Sequence, residues 1–303
     1  MSEVEPDAEA LVGDVLATVL YFDVFDHPLL LAEIERFVAP GRSAAVQTAC
    51  TRLEAEGRLA AQGRHRFVPG KEHTVERRRS MAARAERLWP AARRSARWLA
   101  TLPFVRGVLI TGGLSKGVAK DDEDIDFMLL VEPGSVWTLK SGLQGLRRVL
   151  PARGRDLLCT NYLLAIDHLE VPEHDVFIAM ELATAVPMAG ACAPLLAANG
   201  WARTFVPGLT WALERAEHAA PLSHRWPRLE RALSHPLLEK GSLRSWDSFW
   251  NRKYGFLDRE VRAQRFKRQS GVSTNHLHDF RGHVLREVAW RYADAGLDRP
   301  VVL

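Results

Sequence analysis

Apolar residues recur at helical spacing through the first part of the chain. Leu11, Val15, Val19 and Phe22 mark one helix, and Pro28 then opens a second amphipathic stretch with Leu31, Ile34 and Phe37 on one side. Ser43 is placed to cap a third helix carrying Val46, Cys50 and Leu53, which Gly57 ends. Alternation in 58–60 and 64–68, around a turn at Gln62-Gly63, predicts paired strands. Three helices followed by a basic hairpin predict a winged helix-turn-helix-like head over residues 1–70. Residues 71–99 predict a linking helix, or two with a kink at Pro90.

The pattern then changes. Residues 104–110 form a short apolar, β-branched run that meets Thr111-Gly112-Gly113, a buried strand running into a tight turn. A second buried strand is predicted at 125–131, a helix at 141–150 and a third strand at 157–166. From residue 176 the pattern is mostly helical: 177–186, 201–219, 243–267 and 277–295. The order predicts an α/β (α+β) core over residues 100–187 and a helical domain over 188–303.

Composition narrows the classes. Of 303 residues, 47% are hydrophobic and 26% charged, which excludes disordered and fibrous architectures. No apolar run reaches the roughly 18 to 20 residues of a membrane helix, so no membrane partner is expected. Residues 1–9 are acidic and lack the cationic flank of a secretory signal; they read as a short frayed tail. Cys50, Cys159 and Cys192 are widely separated, without zinc or disulfide spacing, and a reducing cytoplasm is the expected location.

The net charge of +4 and pI of 9.1 say little alone, but the cations cluster. Residues 71–99 hold Arg77, Arg78, Arg79, Arg84, Arg87, Arg93, Arg94 and Arg97, and a later stretch holds Arg262, Arg265, Lys267 and Arg268. Such stretches either track a phosphate backbone or solvate the outer faces of helices. The third helix of the head offers Arg42, Gln47, Thr51 and Arg52, a thin set for reading bases. The head is therefore either a nucleic-acid module or a packing unit of the same shape.

The stretch 110–131 carries the chemistry. A strand ends in Gly112-Gly113, a polar excursion with Ser115 and Lys116 follows, and the next strand opens with Asp124-Ile125-Asp126. Residues i and i+2 of a strand face one side, so Asp124 and Asp126 present two carboxylates together while Ile125 and Phe127 enter the core. Paired carboxylates repel, and a divalent cation with a preference for hard oxygen, Mg2+ or Mn2+, relieves that repulsion. Glycine lets backbone amides approach phosphate oxygens, and Ser115 and Lys116 add a hydroxyl and a charge. Asp121, Asp122 and Glu123 also fit a plain solvated loop.

These residues resemble the nucleotidyltransferase superfamily typified by polymerase β and its minimal members. The family pattern is a hydrophobic strand, Gly-Ser or Gly-Gly, a spacer of about this length, and Asp-hydrophobic-Asp/Glu. Gly112, Gly113, Asp124 and Asp126 match it, with Gly113 where serine is commoner. The resemblance implies metal-assisted transfer of a nucleoside monophosphate from an NTP, with Asp124 and Asp126 as metal ligands. The family's third carboxylate comes from a neighbouring strand, and here the pattern breaks: the central polar residue of that strand is Asn161, with Asp156 at its start and Asp167 beyond its end. Asn161 is either a neutral ligand or a group satisfying buried hydrogen bonds. This departure leaves two alternatives to an active transferase: a catalytically silent nucleic-acid-binding regulator, or a toxin/antitoxin-type minimal nucleotidyltransferase modifying tRNA or protein.

Other groupings are weaker. His276, His278, Asp279 and His283 have roughly ligand-like spacing but fit an ordinary helix start. Trp246, Trp250 and Tyr254 recur at helical spacing and read as core.

Overall fold

The computed structural model describes residues 8–120, 124–149, 159–222, 225–258, 261, 267–274 and 280–302. The head comprises α1 (Ala8–Asp23), α2 (Leu31–Val38) and α3 (Ser43–Ala55), with a small antiparallel sheet in the order β1-β3-β2. Its strands are β1 (Leu29–Leu30), β2 (Ala60–Gln62) and β3 (His65–Phe67). Gly57 ends α3 with φ +69, a conformation that only glycine adopts without strain. Ser43 does not cap α3 from outside. It is the first helical residue, and its hydroxyl donates to Glu35 instead.

Helix α4 (His73–Leu99) is one helix, and Pro90 does not divide it. Pro90 and Glu86 are both exposed, so the Glu86 carbonyl that loses its amide partner lies on the solvent side.

A six-stranded mixed sheet forms the centre, in the order β7-β4-β5-β6-β9-β8. It contains β4 (Val105–Ile110), β5 (Asp126–Val131), β6 (Cys159–Ala165), β7 (Val186–Gly190), β8 (Arg268–Gln269) and β9 (Val272–Thr274). Strands β4 and β5 are antiparallel, and β5 and β6 are parallel. The single-turn helix α5 (Gly112–Ser115) follows β4, and α6 (Val136–Val149) follows β5. Helix α7 (Val176–Thr184) stops short of the predicted 186, because Val186 onward is extended along the edge of the sheet. An edge position tolerates Pro187, which has no amide to donate.

Residues 188–303 are not all helix. Alongside α8 (Ala193–Ala198), the 3-10 turn Gly200–Thr204, α9 (Leu209–Glu217), α10 (Pro227–Leu233), α11 (Pro236–Lys253) and α12 (Phe280–Asp294), they supply the end of β7 and the β8-β9 hairpin. That hairpin turns at Gly271, φ +86, and β9 pairs with the exposed edge of β6.

The alternation of each strand divides its side chains between two cores. Val108, Ile110, Phe127, Leu129 and Leu163 pack on one face with α4, α6, Trp250 and Tyr254. Leu109, Met128, Leu130 and Leu164 pack on the other with α7, α12 and the head, whose buried residues belong to that same cluster. Among the described residues, no helix is long and apolar enough to cross a membrane.

Candidate functional site

The buried sequence of β5 places Asp126 at the mouth of the sheet. Ile125 and Phe127 are 1% and 0% exposed, so the intervening Asp126 faces the opposite side, half-buried, and Asp124 is exposed one step earlier. Thr111 N donates to the Asp126 carbonyl at 3.0 Å, which ties the end of β4 to the start of β5. Gly112 follows with φ +67, and a Cβ built there would overlap Asp126 Oδ2 and lie 3.1 Å from its Cγ. The first glycine of the pair is therefore the one the geometry requires, and the Asp126 carboxylate lies directly on its Cα.

Asn161 reaches the same carboxylate. The β5-β6 register runs Phe127 to Thr160 and then Met128 to Tyr162, leaving Asn161 as an extra residue in a bulge. The bulge turns its amide toward Asp126, and Asn161 Nδ2 donates to Asp126 Oδ1. Cys159 decides the amide's orientation. Burial, then the charges of Asp126 and Asp124, push the Cys159 thiol up to about 11. It therefore stays protonated and donates to Asn161 Oδ1 at 3.0 Å. The amide nitrogen faces the carboxylate, so Asn161 orients Asp126 as a donor, and its oxygen is turned away. Asp156, Asp121, Asp122 and Glu123 lie outside the described residues, as do His276, His278 and Asp279.

Ser115 and Lys116 do not project freely beside the glycines. Ser115 Oγ donates to the Gly112 carbonyl at 2.8 Å, and Lys116 Nζ lies 3.3 Å from that carbonyl and 2.8 Å from Glu181 Oε1 on α7. Both fasten the turn. Gly113 O accepts from Lys116 N and Val118 N, closing it. Half-buried Asp126 and exposed Asp124, two residues apart beside the glycine turn, are hard oxygen donors of the kind a divalent cation takes. Among the described residues, no group of three or more His, Cys, Asp or Glu side chains is gathered for a metal ion, and Asp124 and Asp126 are the described carboxylates at this turn that could hold one.

A second cluster escaped the pattern of the sequence. Buried Arg78 joins three parts of the chain: Nε donates to His27 Nε2 at 3.2 Å, one terminal nitrogen to Glu33 Oε1 at 2.9 Å, and the other to the Gly117 carbonyl at 3.0 Å. Burial and the charges of Arg78 and Lys116 hold His27 well below its usual pKa, as a neutral acceptor. The link fixes the head and α4 to the loop that follows α5. The partners are far apart in sequence, and no local spacing announces them.

The base-reading set proposed for α3 is largely occupied. Arg52 pairs with Glu9 at 2.6 Å and Glu56 at 2.8 Å, and Gln47 donates to Thr51. Comparison with protein-family models, with curated proteins and with solved structures found no match.

Proposed function

We propose that this chain is a metal-dependent nucleotidyltransferase that moves a nucleoside monophosphate from an NTP to an acceptor, releasing pyrophosphate. The observation that carries this reading is the Asp126 carboxylate. It is cradled by Gly112 at the end of one strand, oriented by Asn161 from the next, and accompanied by Asp124 two residues upstream. The resemblance to the nucleotidyltransferase superfamily rests on Gly112, Gly113, Asp124 and Asp126, and Asn161 is where the chain departs from that pattern. In this reading the head is winged-helix-like, and the sheet with α5 is the transferase core.

The transfer forms a bond between the acceptor oxygen and the α-phosphorus and breaks the α–β phosphoanhydride bond. Pyrophosphate leaves with that electron pair, and the acceptor proton passes to solvent. A bound Mg2+ or Mn2+ supplies neutralisation of the triphosphate charge and lowers the pKa of the acceptor hydroxyl. Asp124 and Asp126 would hold it. Asn161 fixes the orientation of the Asp126 carboxylate, which reduces reorganisation during the reaction. The first-turn amides of α5, which a helix leaves without intrahelical partners, serve the phosphates. Ser115, Lys116 and Glu181 hold that turn in place.

A second reading, nucleotide binding without transfer, is favoured by one observation: the side chain on Asp126 from the neighbouring strand is an amide and cannot act as a base. One experiment separates the two. The full chain is incubated with each labelled NTP, Mg2+ or Mn2+, and a cell extract as the acceptor source. Pyrophosphate release that disappears in both Asp124→Asn and Asp126→Asn, with both variants still folded in melting curves, supports transfer. A triphosphate-dependent rise in melting temperature without pyrophosphate supports binding alone. Turnover unchanged in both variants would sink the assignment of the carboxylates.

A further inference from the structure

Two clefts lie on either side of Trp89 and share it and Gly117 as walls. The first, about 460 Å3, opens between the head, α4, α5, β7 and α9, and presents Arg36, Arg93 and Arg215. The second, about 510 Å3, runs to the turn of the head's small sheet and presents Arg64 and Arg79.

Arg36, Arg93 and Arg215 come from α2, α4 and α9, and among the described residues none has a carboxylate at ion-pair distance. Arg36 and Arg215 lie against the same indole, Trp211, with guanidinium carbons 4.9 and 4.4 Å from its centroid. Burial, and after it the charge of Arg36, hold Arg215 below its usual pKa. The acids at these walls are Glu33, already bound to Arg78, and Glu86. A polyanion relieves this concentration of charge.

The layout separates kinds of polyanion. Arg79 and Arg93 both lie on α4, and at 1.5 Å per residue they are about 21 Å apart along it, a longer path than one nucleotide covers. Between them stands Trp89, half-buried, with the Arg93 guanidinium 5.7 Å from its ring. Cations spaced along a groove and interrupted by an aromatic face suit a chain of alternating phosphates and flat bases. An acidic peptide would meet the cations and leave the indole face unused.

We propose that a single-stranded nucleic-acid segment lies along α4, with phosphates at Arg64 and Arg79, a base against Trp89, and further phosphates at Arg93, Arg36 and Arg215. Ser115 and Lys116, which line the first cleft, lie on the same turn as Gly112, whose Cα meets Asp126. The strand is therefore the acceptor class for the transfer, a clause that rests on the function proposed above; the binding does not.

The test uses the full chain without divalent metal or NTP, and fluorescein-labelled single strands of roughly one to eight nucleotides read by anisotropy. Affinity is expected to rise tenfold or more with length and to fall with salt at a log–log slope of about −2 to −4. Arg93→Glu and the milder Arg215→Gln weaken octamer binding about tenfold and about threefold respectively, while Arg97→Glu, on α4 outside both clefts, leaves it within about twofold. Arg64→Glu weakens the octamer but not the mononucleotide. Trp89→Ala loses affinity that Trp89→Phe retains, and melting curves confirm that each variant is folded. A mononucleotide bound as tightly as the octamer, a duplex or polyglutamate bound as tightly as the single strand, or an Arg97→Glu loss equal to that of Arg93→Glu overturns the proposal. Because metal and triphosphate are absent, an inactive transferase leaves strand binding standing, and lost strand binding leaves triphosphate-dependent thermal stabilisation intact.

Discussion

Replacing Gly112 by alanine perturbs the candidate site at its narrowest point, and the structure separates the cost into two parts. The first is backbone strain. Gly112 has φ +67, and an L side chain in the left-handed region costs about 1 to 2 kcal/mol. The second is collision: the new Cβ overlaps Asp126 Oδ2, so the carboxylate must rotate and surrender its bond from Asn161, a charge-assisted bond contributing about 1.5 to 3 kcal/mol. Gly112→Ala should therefore destabilise the protein by about 2.5 to 5 kcal/mol. Gly134 isolates the first part, because it has φ +68 and no atom within 4 Å of an added Cβ. Gly134→Ala should cost only about 1 to 2 kcal/mol. In the double variant Gly112→Ala/Asp126→Ala the collision is gone and the lost Asn161 bond is counted once. The two changes should then couple favourably by at least about 1.5 kcal/mol. Urea unfolding of the wild type, the three single variants and the double variant, with m-values in agreement, measures this. Additivity to within about 0.5 kcal/mol, or equal costs at Gly112 and Gly134, would refute the contact between the glycine and the carboxylate.

Three further outcomes follow from the same geometry. Asn161→Asp replaces the donor on Asp126 with a like charge, so the apo protein should lose about 1 to 3 kcal/mol and regain it with Mg2+ or Mn2+; an unchanged apo melting temperature would show that the two groups do not meet. Lys140 is buried, donates to Ser273 Oγ and lies 4.5 to 5.3 Å from the rings of Trp137, Trp246 and Trp250. Burial lowers its pKa from 10.5 to about 7, so the folded state holds fewer protons than the unfolded chain between those values and stability should rise as pH rises through that window. The rise is at most about 5 kcal/mol, reduced by the attraction of the three indoles for the charged form, and Lys140→Met should flatten it in pH-dependent urea melts. A wild-type profile without that rise would mean that the indoles keep the ammonium charged. Arg78→Met leaves Glu33 and the Gly117 carbonyl without their shared partner and should cost about 3 to 5 kcal/mol; a loss below about 1 kcal/mol would remove Arg78 from the joint between head and core.

The legible part of the site lay within one short segment. Strand, Gly112, polar loop and Asp124-Ile125-Asp126 are contiguous, although the strand begins at Asp126, one residue later than predicted, and Asp124 precedes it. The role of Gly112 over Gly113 was not legible, because it depends on where the Asp126 carboxylate packs. Asn161 was visible as the odd polar residue of an apolar strand, but its alignment on Asp126 comes from a bulge, which changes register without changing hydrophobic pattern. Cys159 was legible only as a cysteine without zinc or disulfide spacing. Its thiol matters through the orientation it imposes on the Asn161 amide, a relation that needs coordinates.

By itself the chain determined its periodic elements: the three head helices, the small hairpin, the long α4, and the two strands around Gly112. Each is set by local spacing, by capping or turn residues, and by the requirement that one face be buried. Tertiary structure decided what the ends of those elements touch. The pattern predicts a helix that closes at residue 186, yet Val186–Gly190 pairs antiparallel with β4, where an edge strand needs no amide from Pro187. The hairpin at 268–274 is short and polar, and becomes part of the central sheet only because β6 leaves an edge for it. Arg36, Arg93 and Arg215 are three unremarkable helix-surface arginines in sequence. Their meeting at one cleft depends on how α2, α4 and α9 pack, since like charges on separate elements carry no shared period along the chain.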